Sequence, residues 1–160
     1  MAQRIYLLVS AVLMIIVSQS NLAIYVAREN GALYALDCMN LSSVTNEAEV
    51  LSSAPWALMV LAIIIALASL FTLFLVFFQN YALQKRMTIF SMLLTLGFML
   101  TYVAFFLYYK SQLEAVSAKM MSWAIAVPAV VLILLFMAFH AIRKKEAAVI
   151  FEASSFRLRD

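Results

Sequence analysis

The sequence predicts an all-α integral membrane protein: a bundle of four transmembrane helices, both termini cytoplasmic, with a small β-hairpin in one outer loop. Three observations predict it. Hydrophobic residues make up 67% of the 160 residues and charged residues 12%, against about half and a quarter in soluble domains. The charges bound four uncharged apolar runs, each long enough for the roughly 20 residues that cross a bilayer core. The lysines and arginines, eleven in all, fall unevenly among the loops.

The spans are residues 5–26, 56–78, 88–109 and 121–142. Arg4 and Arg28 flank the first, Glu49 and Lys85 the second, Arg86 and Lys110 the third, Lys119 and Arg143 the fourth. Helices are required because lipid offers the backbone no hydrogen-bond partner. The alternating ten-residue segments of a β-barrel are not present. The first run has Arg4 before it and Ser18 and Ser20 near its end, as a signal peptide does. Its apolar character continues through Val26, so it reads as a retained span.

Orientation follows the excess of Lys and Arg in cytoplasmic loops. Four spans place Arg4, Lys85, Arg86, Arg143, Lys144, Lys145, Arg157 and Arg159 on one side, and only Arg28, Lys110 and Lys119 on the other. Both termini are therefore predicted to be cytoplasmic.

The outer loop 28–55 is the one sizeable polar segment. Asn30-Gly31 between two apolar stretches predicts a hairpin closed by a two-residue type I′ turn. Asn46 and Glu49 can cap a short helix, and Pro55 suits the first turn of span two. The second outer loop, 110–120, is predicted helical. The segment 143–160 is a basic cytoplasmic tail, read as a topology anchor, an amphipathic helix on the inner leaflet, or a docking element.

No Asp, Glu, Lys or Arg lies inside a span. Proton-coupled transporters and voltage sensors carry such groups, so those classes are disfavoured. The lone His140 lacks the clustered ligands a metal needs, and it reads as an interface residue. Cys38 reads as a small apolar residue beneath the hairpin. No catalytic residue, cofactor or metal is predicted, and nothing points to nucleic acid.

The candidate polar stripe has two parts. Ser18, Asn21 and Tyr25 fall at helical spacing in span one, and Ser91, Thr95 and Tyr102 follow Thr88 on one face of span three. Such stripes line a path or, more often, make interhelical hydrogen bonds. Gly97 with Thr101 and Ala62 with Ala66 read as small-residue pairs that let helices approach. Candidate docking or lipid-headgroup positions are Asn30 and Gly31 at the hairpin, and Arg143, Lys144 and Lys145, which face anionic lipid.

Two end segments carry a resemblance. The start Gln3-Arg4-Ile5 and the ending Ala141-Ile142-Arg143-Lys144-Lys145-Glu146 with Arg157-Leu158-Arg159 resemble a family of four-span inner-membrane proteins of Bacteroidota whose domain has no known function. The resemblance implies an inner-membrane location and transfers no site residues. The functional expectation is a non-catalytic accessory, assembly or scaffold subunit of an envelope complex, with a membrane-protein partner or a second copy of itself. The alternative is a lipid or apolar small-molecule binding or transport module using the polar faces of spans one and three.

Overall fold

The structure is a computed structural model that describes residues 2–28, 31–44, 50–78, 80–115 and 117–157. Among them, the elements run α1 (Ala2–Ser18), β1 (Ala23–Val26), β2 (Leu33–Leu36), β3 (Leu41–Ser43), β4 (Val50–Ser52), α2 (Trp56–Leu75), α3 (Tyr81–Gln112), β5 (Ser117–Met120) and α4 (Ser122–Arg157). The fold is mostly helical, with one small antiparallel sheet. Three helices, α2, α3 and α4, are long and apolar enough to cross a membrane. The shorter α1 has 17 residues, about 26 Å of helix.

The helices form a ring in which α1 touches α2 and α4, and α3 touches the same two. The sequence dictates this packing through a repeat of 3.5 residues. On α1 the seam runs through Gln3, Leu7, Ser10, Met14 and Val17, with Ala11 buried beside it; on α3 it runs through Gln84, Thr88, Ser91, Thr95, Phe98 and Tyr102 and on to Phe106 and Tyr109. Steps of four and three keep one seam facing inward as helices wrap with a left-handed twist. The opposite faces are apolar and uncovered: Leu67 is 60% exposed, Leu93 62% and Leu100 73%. In water that belt would forgo the roughly 25 cal/mol per Å² that burial yields, whereas acyl chains can solvate it.

Span one is shorter than the sequence predicts. Helix α1 stops at Ser18, and the polar run Ser18-Gln19-Ser20 is its terminator. The Ser18 and Ser20 hydroxyls donate to the carbonyls of Ile15 and Ile16, both at 2.7 Å, satisfying acceptors that a helix end leaves open. The apolar residues beyond are strand: β1 alternates buried Ala23 and Tyr25 with half-buried Ile24 and Val26. A short apolar run fits strand or helix equally until its neighbours decide.

The predicted hairpin exists inside a larger sheet of order β4-β3-β2-β1-β5. Strands β1 and β2 pair from Ala23↔Leu36 to Val26↔Leu33. The connection is longer than a two-residue turn. Ala27 N–H donates to Ala32 O, and Gly31 N–H donates back to Ala27 O, so the strand pairing closes at Ala27 and Ala32. Gly31 takes φ +61°, the left-handed conformation that glycine adopts freely. Asn30 and the Asn46–Glu49 cap lie outside the described residues. Of the second outer loop, 110–112 complete α3 and 117–120 form strand β5, where the sequence predicts a helix throughout. Helix α3 ends with Glu114 at φ 41° and Ala115 N–H bonded to Lys110 O, a left-handed stop that delivers the chain into β5. Pro55 directly precedes α2 in helical conformation.

Of the predicted tail 143–160, the described part 143–157 is not a separate surface helix, because α4 continues through Arg157. Of the small-residue pairs, Ala62 and Ala66 are buried. Gly97 is not a close-approach site, since a methyl group there would meet nothing within 4 Å. Gly97→Ala should therefore raise stability by about 0.5–1 kcal/mol through helix propensity. Chemical denaturation in detergent checks this; a loss of stability would show that another element covers this position.

Candidate functional site

At the sheet end, tyrosines fasten strands to helices. The Leu22 carbonyl, in the link between α1 and β1, accepts from the Tyr102 hydroxyl at 2.8 Å and from Met121 N–H at 3.1 Å. Three parts of the chain thus meet at one fully buried residue. Tyr25 stands on the inner face of the sheet, with its hydroxyl 3.4 Å from the Phe106 carbonyl and its ring 5.6 Å from that of Phe106. Burial, then the neighbouring Tyr102 and Tyr109, push the Tyr25 phenol upward, so it stays neutral. Tyr109 Oη reaches Ser52 Oγ at 3.0 Å. Tyr102→Phe should cost about 1 kcal/mol, the worth of one net hydrogen bond, because the Leu22 carbonyl retains Met121. A drop of a few degrees in the melting temperature is the readout, with no loss of helical signal.

The sheet's two faces differ in what they meet. Ala23, Tyr25, Leu36 and Leu41 cluster with Phe106 and Tyr109 of α3. The other face carries Ile24, Val26, Leu33 and Ala35 together with Ser42, Ser117 and Lys119, and Leu33 is 44% exposed. Val44 follows β3 and, like Leu51 on β4, is more than half exposed. Beneath the sheet, Cys38 is buried and its Sγ lies 3.5 Å from the Val17 carbonyl. Burial, then the Asp37 carboxylate, push its thiol up to about 12. Burial also raises the Asp37 carboxyl.

The predicted stripe of span one does not form. Ser18 bonds to its own helix, Asn21 is exposed in the link, and Tyr25 belongs to β1. The stripe of span three does form. Thr88, Ser91 and Thr95 are fully buried and Tyr102 is 2% exposed. Thr88 and Thr95 donate to the carbonyls one turn back, Gln84 and Ser91, at 2.8 Å.

The sequence reading missed how far this polar seam extends. Gln84, four residues before Thr88, is buried and donates through Nε2 to the Leu75 carbonyl at 2.9 Å. Its Oε1 accepts from Gln3 Nε2 at 2.9 Å. These contacts align the start of α1, the end of α2 and the start of α3. Six or seven residues up each helix stand Ser69, Ser10 and Ser91, all with no exposure. A rise of 1.5 Å per residue places them at one depth, about 10 Å above the glutamines. Ser10 donates to the Leu7 carbonyl; Ser69 Oγ, Ser91 Oγ and Gln3 Oε1 have no partner among the described residues. Extending each seam by its own period would have found Gln3, Ser10 and Gln84.

The same end carries the basic cluster. Lys85 forms an ion pair with Glu146 at 2.7 Å, joining α3 to α4. The Arg4 guanidinium sits 5.0 Å above the Phe77 ring, and that of Arg143 is 5.9 Å from the Phe139 ring. Arg143, Lys144 and Lys145 are exposed on α4, as is His140. Between α3 and α4 lies a groove of about 440 Å³ lined by Ala82, Lys85, Arg86, Ile89, Phe139 and Arg143. Gly31 stands at the far end, in a loop whose two strands are each paired on both sides; the hairpin therefore offers no free strand edge. Among the described residues, no three His, Cys, Asp or Glu side chains gather as a metal site would need.

No curated protein and no solved structure matches the chain. A family model described as Domain of unknown function (DUF4293) matches residues 2–150, and the chain belongs to that family.

Proposed function

We propose that the protein is a non-catalytic accessory, assembly or scaffold subunit of an envelope complex. It would be held in the bacterial inner membrane by a four-helix bundle with both termini inside. The observation that carries this reading is the outward face of the sheet. An antiparallel sheet with one wet face carries polar residues there; here the face turned from the helices mixes Ser42, Ser117 and Lys119 with Ile24, Val26 and Leu33, and the apolar Leu33, Val44 and Leu51 on or beside it are exposed. The tyrosine contacts hold that face rigidly on the bundle, as a presenting surface requires. Two strands, β4 and β5, are open edges, where a partner strand can add. The loop of Asn30 and Gly31 is a poorer docking element than these edges, because its strands lie inside the sheet.

The test is native mass spectrometry of the complex extracted in mild detergent. A scaffold subunit carries a stoichiometric protein that is lost with Leu51→Asp while helical content and melting temperature hold. An unchanged partner stoichiometry in that variant removes the sheet face from the account.

The second reading, a binding or transport module, is favoured by the layer of Ser10, Ser69 and Ser91, two of whose hydroxyls lack partners among the described residues. A dry packing layer predicts that Ser91→Ala leaves stability and cellular phenotype intact, since no bond of that hydroxyl is lost. Loss of phenotype at unchanged protein level would instead support a lined path.

A further inference from the structure

The groove between α3 and α4 combines features that suit one amphipathic ligand. Its polar rim holds three cations, Lys85, Arg86 and Arg143. Glu146 engages Lys85 through both carboxylate oxygens at 2.9 and 2.7 Å, which neutralises that lysine and leaves the charge of the two arginines unbalanced. Arg86 makes no ion pair among the described residues. Two guanidinium groups on one groove, at the border of a low-dielectric medium, repel each other unless an anion joins them. Their planar donor forks match phosphate oxygens.

The groove's apolar wall lies on the bilayer side of that rim. Ile89 is three residues beyond Arg86 on a helix running away from this end, and Phe139 is four residues before Arg143 on a helix running toward it. Each arginine therefore has an apolar side chain one turn deeper, and both side chains line the groove. The Phe139 ring also bears the Arg143 guanidinium, which fixes that cation over the apolar wall.

The geometry points to a site for an anionic phospholipid, its phosphate held between Arg86 and Arg143 and its first acyl segments lying on Ile89 and Phe139. This site is distinct from general attraction to the basic segment Arg143-Lys144-Lys145, because Arg86 and the apolar wall lie on or beneath the rim and Lys144 and Lys145 do not line the groove. It rests on these helices crossing a bilayer, and it does not depend on the scaffold role. A protein found in the soluble fraction would defeat the membrane reading itself, whereas the following measurement addresses the lipid site alone.

The experiment is native mass spectrometry of the delipidated protein in detergent, titrated with phosphatidylglycerol or phosphatidylcholine of matched chains. Selective retention of phosphatidylglycerol is expected. Arg86→Gln with Arg143→Gln should weaken it by about tenfold or more, while Lys144→Gln with Lys145→Gln should change it less than about threefold. Arg86→Lys should fall between, since it keeps the charge and loses the fork. If the double arginine variant melts below wild type, Ile89→Glu provides the same test by placing a carboxylate on the acyl wall one turn below the arginines, where it opposes an anionic lipid. Equal retention of the two lipids overturns the site. So does a loss from the lysine pair as large as that from the arginine pair. Displacement of the lipid by millimolar inorganic phosphate shows a soluble-anion site and overturns the lipid assignment.

Discussion

Gln84→Leu should destabilise the protein by about 2–3 kcal/mol, because it leaves the buried Gln3 amide on α1 unpaired and removes a side-chain bond to α2 as well. Gln84 and Gln3 are each 1% exposed. The single substitution removes the acceptor of Gln3 Nε2 while Gln3 Oε1 already has no partner among the described residues, so a whole primary amide is left buried and unbonded. The Leu75 carbonyl loses the Gln84 side-chain bond and keeps only the Phe78 N–H at 3.2 Å. A buried amide is far more costly unpaired than absent. The double variant Gln3→Leu with Gln84→Leu should accordingly be more stable than Gln84→Leu alone, with a coupling of about 1–2 kcal/mol. Denaturation of the four members of this cycle in one detergent measures it. Additive costs would mean that the two amides do not form a single unit, and the alignment of α1, α2 and α3 would have to rest on apolar packing.

The elements that proved legible were those whose physics is local. Charges at Arg4, Lys85, Arg86 and Arg143 bracket long apolar runs, and three of the four runs are carried by helices with the length and composition to cross a membrane. The stripe Thr88-Ser91-Thr95-Tyr102 lies on one buried face, because spacing on an uninterrupted helix fixes azimuth. What failed did so where two segments compete for one pattern. Ala23–Val26 is apolar enough to extend span one; its pairing with β2 and β5, more than ninety residues apart for the second, decides for strand. Lys119 looks like a loop charge, yet it pairs with Ile24 across the sheet. The glutamine contact was hidden for a different reason. A lone Gln at a span end looks like a solvated boundary residue, and only the meeting of Gln3 with Gln84 makes both interior. The end motifs behind the family resemblance gain a physical meaning there: Gln3 bonds Gln84 and Glu146 bonds Lys85, so both termini are tied to the first turns of α3.

Thiol labelling should divide the chain by membrane side and leave its natural cysteine silent. Cys38 is 1% exposed, and its thiol is pushed up to about 12 by burial and then by Asp37. The thiolate is the reactive form, so native Cys38 should resist a membrane-impermeant maleimide from either side through pH 9, and react once the protein is unfolded. The stability linkage has a definite sign. An unfolded thiol releases its proton near an ordinary value of about 8.5, and the folded one holds it to about 12. The folded state therefore binds the extra proton between those values. The stabilisation is complete below the lower value and is lost as pH rises toward the upper one. In a Cys38→Ala background, Val44→Cys on the sheet should label in cells whose outer membrane alone is opened, because Val44 is 52% exposed and the proposed orientation, taken from the excess of Lys and Arg, has the sheet outside. Ser154→Cys, exposed on the last turns of α4, should label only after the inner membrane is breached. The reverse pattern would invert the orientation, and would move the anionic-lipid groove to the outer leaflet. Labelling of both positions in intact inner membranes would mean that α4 does not cross. Rapid labelling of native Cys38 would show that the sheet lifts from Val17, and the rigid presentation on which the scaffold reading depends would fall with it.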